Sequence, residues 1–145
     1  MRRARKTDLD AIVRMSNALA EAVDDPPTTL SVTTLGQCIF GSDRWSECFV
    51  AVRGADPLGY MLLSRYFEAH TAKRHLKIAD LFVAPAARAS GIGRLLFEAA
   101  VKRARSLHCA EISWEVWKEN DPAYHFYERL GAGHNGDVTT MHFKL

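Results

Sequence analysis

Cysteine is scarce in this sequence, and the few cysteines do not form a pattern that would hold a metal or a disulfide framework. Only three occur among 145 residues, Cys38, Cys48 and Cys109, and no two are spaced as C-x-x-C. The histidines show neither H-E-x-x-H nor an i, i+4 pair. We therefore expect reduced thiols and no metal site.

Long apolar runs are also missing. No segment approaches the roughly 20 consecutive apolar residues that a membrane-spanning helix needs, and no stretch has the pattern of a secretory leader. We expect a cytoplasmic protein without a membrane partner.

An excess of one charge is absent as well. Lys and Arg number 19 against 17 Asp and Glu, which gives a formal net charge of +2. The one basic run, at residues 2–6, is interpreted as a solvated strand rather than a polyanion site. The composition therefore predicts no nucleic-acid partner.

The apolar pattern predicts one domain over residues 1–145 with a mixed order of elements. A first strand is followed by a helix capped at Thr7 or Asp8 and by a second helix or turn around 33–40. A hairpin over 48–52 and 58–63, a strand over 76–83 and a helix from Ile92 come next. A strand over 111–117, a helix from Asn120 and a strand over 138–145, entered through a hairpin at Asn135 and Gly136, complete the order.

A glycine-bearing turn follows the strand predicted over 76–83. Arg88 precedes Gly91 and Gly93, and a long helical pattern starts at Ile92. A helix start leaves backbone N–H groups without intrahelical partners and carries partial positive charge, so it suits phosphate oxygens. Glycine lets the backbone come close to a ligand, and an arginine adds a charge-assisted contact. The turn predicts a pyrophosphate site, although glycines that merely permit a tight turn leave the same pattern.

Two other phosphate-binding patterns do not fit. A Rossmann site would add a third glycine, but position 96 is leucine, and the first half of the chain lacks strand–helix–strand alternation. A P-loop would need Gly-Lys followed by Ser or Thr. Both nucleotide folds are therefore excluded as interpretations of this turn.

The segments around the turn resemble a known family. The runs D-L-F-V-A-P at 80–85 and R-A-S-G-I-G-R-L-L at 88–96 are similar to the central acetyl-CoA motif of the GCN5-related N-acetyltransferases (GNAT), Gln/Arg-x-x-Gly-x-Gly/Ala. The run N-D-P-A-Y-H-F-Y-E-R-L-G-A at 120–132 is similar to the second family motif. The resemblance spans nearly the whole chain, and it looks closest to the spermidine/spermine and thialysine acetyltransferase branch.

The resemblance implies an α/β (α+β) fold. Its central sheet would be mixed, largely antiparallel and made of about six to seven strands, with about four flanking helices. The strand ending at Val83 would splay from the strand ending near Trp117, and the pantetheine arm of acetyl-CoA would enter the gap. The resemblance implies no metal, and because the family is often dimeric we also predict a homodimer.

The resemblance assigns the acetyl-CoA contacts mainly to backbone groups. Leu81, Phe82 and Val83 would pair with the amides of the arm as an added strand does. Asn120 would hydrogen-bond the arm, although its position also suits a plain helix cap. The full predicted set is Leu81, Phe82, Val83, Arg88, Ala89, Ser90, Gly91, Ile92, Gly93, Arg94, Asn120, Ala123 and Tyr127.

Tyr127 matches the family's general acid. A phenol has a reference pKa near ~10, so it stays protonated at neutral pH and can donate to the departing CoA sulfur. Without the motif, a tyrosine beside Phe126 would be interpreted as a packing residue.

The base is open to more than one interpretation. The spermidine/spermine branch has Glu directly before the Asp of its D-L-F-V run, and this chain has Ala79 there. Strand alternation places Asp80 on the face opposite Leu81 and Val83. Glu115, on the neighbouring predicted strand, is therefore the predicted base, with Asp80 and Glu119 as the alternatives.

These residues predict an acetyl-CoA-dependent N-acetyltransferase that acts on a primary amine of a small molecule by direct attack in a ternary complex. An acetyltransferase for a peptide lysine or N-terminus would use the same donor residues. A noncatalytic acyl-CoA sensor is a third interpretation, suggested by Ala79, but such a protein would have no use for a general acid.

Overall fold

The fold is described from a computed structural model, which describes residues 1–26, 28–133 and 136. The chain divides into two compact units, Met1–Glu115 and Val116–Leu145, and each is described by itself. That residues 1–145 form a single domain stays a prediction.

The first unit contains a five-stranded sheet. Its strands are β1 (Arg2–Arg3), β2 (Glu47–Arg53), β3 (Asp56–Glu68), β4 (Lys73–Val83) and β5 (Glu111–Ser113). They lie in sequence order across the sheet; the first three pairings are antiparallel and the last is parallel. The predicted mixed, largely antiparallel sheet is confirmed, with five described strands rather than the six to seven predicted. The strand predicted over 138–145, and Asn135 of its hairpin, lie outside the described residues.

Two helices cover one face of this sheet. They are α1 (Leu9–Ala22) and α2 (Val32–Phe40). The apolar positions of α1 recur at helical spacing, so Ile12 and Met15 face the sheet together. They pack with Val50 of β2, Tyr60 of β3 and Phe82 of β4. We call this the α1 face.

A third helix, α3 (Ile92–Ser106), covers the opposite face. Leu96, Ala100 and Ala104 are buried there against Met61 and Leu76. Two alanines in this stripe let the helix backbone lie close to the sheet, which fixes the position of the helix start. We call this the α3 face.

An ion-pair network anchors the far end of α3. Glu47 of β2 accepts hydrogen bonds from Nε and Nη2 of Arg103 at 2.8 and 2.6 Å, and from Arg3 at 2.7 Å. Burial tends to raise the pKa of Glu47, but Arg103, Arg3 and Arg65 together outweigh it and hold that pKa below its usual value. The network ties helix, β1 and β2 together.

Strand β4 is paired on both sides only near its start. It follows β3 from Lys73 to Val83, whereas β5 pairs with it only at His75, Leu76 and Lys77. Beyond Lys77, no described strand lies on that edge of β4. The predicted opening between these two strands is confirmed. The strand predicted over 111–117 ends earlier, at Ser113.

A β-bulge divides β4 at Ala79. Leu62 lies opposite Asp80 and Leu63 lies opposite Ile78, so Ala79 has no partner in the register. One extra residue resets the alternation of faces. Ile78 and Leu81 therefore both pack on the α3 face, while Phe82 packs on the α1 face.

The β3–β4 hairpin is longer than the sequence predicted. Residues 64–68 and 73–75, interpreted as a polar connection, are strand. The rings of Tyr66 and His75 stack across the hairpin with centroids 4.7 Å apart, and such cross-strand pairs stabilise strands even where the composition is polar.

The described part of the second unit contains helix α4 (Asp121–Glu128). Asn120 caps it, and Pro122 occupies the second helical position rather than the first as predicted. After the helix, the chain turns at Gly131, whose φ of 85° favours glycine.

Candidate functional site

At the open edge of β4, backbone groups rather than side chains are available to a ligand. Phe82 is buried on the α1 face, and Leu81 and Val83 pack on the α3 face. With the side chains committed to the two cores, the strand edge beyond Lys77 is left for an extended ligand, as in strand addition. The three predicted arm-binding residues are thus brought together on one strand end.

The turn between β4 and α3 adopts an uncommon backbone. A short 3₁₀ turn, Pro85–Ala87, ends the strand, and two of the next four residues are left-handed. Gly91 has φ 84° and Ala89 has φ 57°. A left-handed alanine costs energy that glycine does not, and such strain is concentrated at functional sites. No sequence pattern indicated the strain at Ala89.

The turn delivers several N–H groups to one point. The first hydrogen bond of α3 runs from the N–H of Leu95 to the carbonyl of Gly91 at 3.0 Å. No backbone carbonyl of the described residues accepts from the N–H groups of Ile92, Gly93 or Arg94. These donors, together with the positive end of the helix dipole, suit the oxygens of a pyrophosphate.

Three side chains of the turn are already engaged. The Nε of Arg88 donates to the carbonyl of Val83 at 3.2 Å, and the hydroxyl of Ser90 donates to the carbonyl of Ala87. The Nε of Arg94 pairs with Glu98 at 2.9 Å. Both arginines are exposed, so their remaining guanidinium N–H groups can reach an anion. Arg88 occupies one carbonyl of the strand end that was predicted to pair with the arm.

In the second unit, Asn120, Ala123 and Tyr127 are arranged along α4. The Oδ1 of Asn120 accepts from the N–H of Ala123 at 3.2 Å, so the helix-cap role is present. Ala123 and Tyr127 are four residues apart and therefore share one face of the helix. Tyr127 contacts the ring of Phe126 edge to face, with centroids 4.9 Å apart.

Tyr127 has the protonation state that an acid needs. Burial raises the pKa of its phenol to about 12, because the charged phenolate loses more hydration than the neutral phenol. The hydroxyl is therefore protonated throughout the neutral range and can serve as a donor.

Glu115 is the last residue of the first unit, and its side chain is exposed. Its Oε1 accepts from Nζ of Lys77 at 2.8 Å, and its side chain is 66% exposed. Its role as base stays a prediction.

Asp80, a second carboxylate, has a hydrogen-bond partner that the sequence did not predict. The phenol of Tyr60 donates to Oδ2 of Asp80 at 2.9 Å. Tyr60 carried no signal beyond that of a strand residue, and the bulge that brings Asp80 to the α1 face has no sequence mark of its own. Only the register of β3 against β4 places the two groups together.

No group of three or more His, Cys, Asp or Glu side chains in the described part of the chain is arranged to hold a metal ion. Among the described helices, none is both long and apolar enough to cross a membrane.

The chain is also similar to known proteins. The family model described as acetyltransferase (GNAT) family matches residues 12–132. A streptothricin acetyltransferase from Streptomyces lavendulae is 40% identical over 93 residues, which cover 63% of this chain and 47% of that protein. The chain thus spans about half the length of that relative.

Two further similarities cover more of the chain. A thialysine N-epsilon-acetyltransferase from Mus musculus is 28% identical over 141 residues, which cover 91% of this chain and 82% of that protein. The crystal structure of a possible acetyltransferase from Clostridium difficile 630 superposes with a TM-score of 0.84 at 21% identity, covering 99% of this chain and 95% of that one. The second similarity concerns the fold alone.

Proposed function

Because this chain belongs to the acetyltransferase (GNAT) family, we propose that it transfers an acetyl group from acetyl-CoA to a primary amine of a small molecule, by direct attack within a ternary complex. The observation that carries the proposal is the turn at residues 88–94. It gathers N–H groups without backbone partners, a helix start and two exposed arginines at one point, which suits a pyrophosphate.

The donor would be held along one continuous path of the first unit. Backbone of Leu81, Phe82 and Val83 would pair with the pantetheine arm, and the turn from Arg88 to Arg94 would hold the pyrophosphate. The Nε of Arg88 would leave the carbonyl of Val83 to make room for an amide of the arm. By the family resemblance, Asn120 and Ala123 are also proposed to contact the arm.

The chemistry asks for three groups from the protein. An N–H of the β4 backbone would stabilise the oxyanion that develops on the thioester carbonyl. Tyr127 would protonate the departing sulfur, and its raised pKa keeps the phenol protonated at neutral pH. A base must take one proton from the acceptor, since an alkyl ammonium with a pKa of ~10 is almost fully charged at pH 7.

The acceptor class follows from the relatives. The streptothricin and thialysine acetyltransferases are named for small molecules, so a small amine is the acceptor we propose for this chain. A peptide lysine or N-terminus is the alternative, because the donor site serves both equally. The proposed location is the cytoplasm and the proposed assembly a homodimer.

The test combines binding with turnover. Acetyl-CoA is titrated calorimetrically, and thiol release is then followed with thialysine, spermidine and a lysine-containing peptide as acceptors. Tyr127→Phe is expected to lower kcat about 100-fold while leaving the acetyl-CoA Kd within about twofold. Tyr66→Phe is the matched control, because Tyr66 is exposed at the far end of the β3–β4 hairpin.

Each result has a distinct meaning. Release with the peptide alone would replace the small-molecule acceptor by a protein one. Acetyl-CoA binding without release from any acceptor, and with no difference between wild type and Tyr127→Phe, would favour the sensor interpretation. Absence of binding would refute the assignment of the turn.

A further inference from the structure

An ion pair spans the point where β4 and β5 part. Lys77 is the last residue of β4 that pairs with β5, and it lies opposite Ser113. Glu115 follows Ser113 by two residues, and its Oε1 lies 2.8 Å from Nζ of Lys77. Beyond Lys77 no described strand lies on that edge of β4. The pair therefore stands at the closed end of the opening that is proposed to receive the pantetheine arm.

The pair is reached from the face of the sheet that α3 does not cover. Leu76 and Ile78 are buried on the α3 face, so strand alternation places Lys77 on the α1 face. The proposed pyrophosphate turn, in contrast, opens into α3. A small acceptor held at Lys77 and a donor held at that turn would therefore come from opposite sides, as a ternary complex requires.

Both partners of the pair are accessible. The side chain of Lys77 is 42% exposed and that of Glu115 is 66% exposed. An exposed pair adds little to stability, because water screens both charges. The half-buried Glu47, which is shared by three arginines, ties β1, β2 and α3 together. Lys77 and Glu115 instead offer one positive and one negative group to a ligand.

A Lys–Glu pair of this kind complements a zwitterion. The ammonium nitrogen and the carboxylate oxygens of an α-amino acid are about 3 Å apart, close to the separation of the two charges in the pair. The ligand can lie alongside, with its carboxylate on Lys77 and its ammonium on Glu115, so that unlike charges alternate. A diamine has no group for Lys77, and its second ammonium is repelled by that lysine.

The direction of the pantetheine arm brings its acetyl end towards the pair. In the proposed function the arm starts at the turn after Val83 and runs back along Leu81, so the thioester lies between Leu81 and Lys77. Four strand residues span about 13 Å. A side chain with four or five bonds between its α-carbon and its amine spans about 5–6 Å. A headgroup at Lys77 therefore leaves such an amine within this interval.

We propose that Lys77 and Glu115 form the acceptor's headgroup site, and that the acceptor is an α-amino acid with a terminal side-chain amine rather than a polyamine. Lys77 binds the carboxylate and Glu115 binds the α-ammonium. This inference rests on the proposed acetyl transfer and specifies its acceptor. It gives Glu115 a binding role, which is distinct from the role of base predicted for it.

The test uses acceptors that differ only in the carboxylate. L-Lysine is compared with cadaverine and L-ornithine with putrescine, each with the full chain and saturating acetyl-CoA. The wild type is expected to show a kcat/KM about 10-fold higher for each amino acid than for its diamine. Mass spectrometry of the fragmented product is expected to place the acetyl group on the side-chain nitrogen.

Substitutions of Lys77 assign the preference to this residue. Lys77→Gln is expected to lower kcat/KM for L-lysine about 10-fold, mainly through KM, and to leave cadaverine within about twofold. Lys77→Glu is expected to reverse the preference, because a second carboxylate attracts the free ammonium of the diamine. Lys73→Gln is the matched control, since Lys73 is an exposed lysine four residues earlier on the same strand.

A second readout does not depend on turnover of the tested ligand. L-Norleucine has the headgroup and the chain of lysine without the terminal amine. It is expected to inhibit competitively against L-lysine, and Lys77→Gln is expected to raise its inhibition constant about 10-fold. Glu115→Gln is expected to raise the KM for L-lysine. If that variant instead loses kcat for lysine and cadaverine alike at unchanged KM, its binding role is wrong.

Three outcomes overturn the inference while acetyl transfer stands. They are a wild type that prefers the diamines, a Lys77→Gln variant that loses the same factor for both members of a matched pair, and acetylation of the α-nitrogen. If the wild type acetylates no small amine at all, the proposed function fails, and that result is separate because it needs no variant and no matched pair.

Discussion

The two ends of β4 differ in how their edges and titratable groups are used. At the start, β4 has β3 on one side and β5 on the other, and His75 is enclosed there. Its Nδ1 lies 3.0 Å from Glu111, its Nε2 lies 3.6 Å from Glu68, and its ring stacks on Tyr66. At the far end one edge is open, and Asp80 accepts a hydrogen bond from the phenol of Tyr60 at 2.9 Å.

The two ends of β4 differ in how much they contribute to stability and in what they leave available to a ligand. The paired end satisfies its backbone through two ladders and commits its side chains to a core. The open end leaves strand edge, a left-handed alanine and unpaired N–H groups within about ten residues. The packing of the paired end can therefore support the strained backbone next to the open end.

The largest effect is expected from breaking the core at the paired end. Leu76→Ala removes a side chain that is 1% exposed on the α3 face, and the cavity should lower the free energy of unfolding by about 3 kcal/mol. The acetyl-CoA Kd, measured well below the melting temperature, should change less than about twofold because the open end is intact. Chemical denaturation and calorimetry measure the two quantities.

Leu95→Ala is the matched control for that substitution. Leu95 is 51% exposed on α3, so the same change should cost within about 0.5 kcal/mol. If both variants lose the same free energy of unfolding, the paired end is not the stabilising part.

At the open end we expect the reverse: a substitution that weakens acetyl-CoA binding and leaves the free energy of unfolding nearly unchanged. Gly91→Asp introduces a carboxylate at the cap of α3, where an added Cβ would meet no other atom within 4 Å. Its charge would occupy the N–H donors and repel a pyrophosphate, so the acetyl-CoA Kd should rise about 30-fold, while stability changes by about 1 kcal/mol or less.

Gly91→Asn separates charge from backbone strain. It has the same size and the same left-handed cost as aspartate but no charge. If Gly91→Asn raises the acetyl-CoA Kd as much as Gly91→Asp does, the turn does not hold the pyrophosphate through electrostatics.

The smallest expected effects concern the pH dependence of stability, which should have opposite signs at the two ends. Burial raises the folded-state pKa of Asp80, so ionised Asp80 costs stability above its unfolded-state pKa of about 4. Asp80→Asn should therefore raise the free energy of unfolding at pH 7 and converge with wild type as the pH falls towards 4.

Glu68, at the paired end, should behave in the reverse way. The Thr71 hydroxyl donates to its carboxylate and lowers its pKa, which contributes stability above about pH 4.3 that is lost as the pH falls through the lower folded-state pKa. Glu68→Gln should destabilise at pH 7 and match wild type in strong acid. Denaturation curves from pH 3 to 8 that shift in the same direction for both variants would contradict the comparison.

Much of the geometry of the proposed donor site could be predicted from sequence because it depends on neighbouring residues. A strand, a proline, two glycines and an amphipathic helix within 30 residues fix a helix start and its N–H groups whatever the rest of the chain does. The same holds for the cap at Asn120 and for the spacing of Tyr127 from Ala123 on one helix face.

The surroundings of Asp80 could not be predicted in that way. Strand alternation correctly put Asp80 opposite Leu81 and Val83, but the bulge at Ala79, which takes it away from the face of Ile78, follows from the pairing of β4 with β3. The partnership with Tyr60 joins residues 20 positions apart, and no periodic pattern reports such a contact.

The sequence by itself determined the family, the order of most elements and the glycine-bearing turn before α3, since each depends on residues close together in the chain. Only the tertiary structure decided how far β5 accompanies β4, which face Asp80 takes and that Lys77 pairs with Glu115. Those features depend on strand register, and register is set by packing between distant segments rather than by local preference.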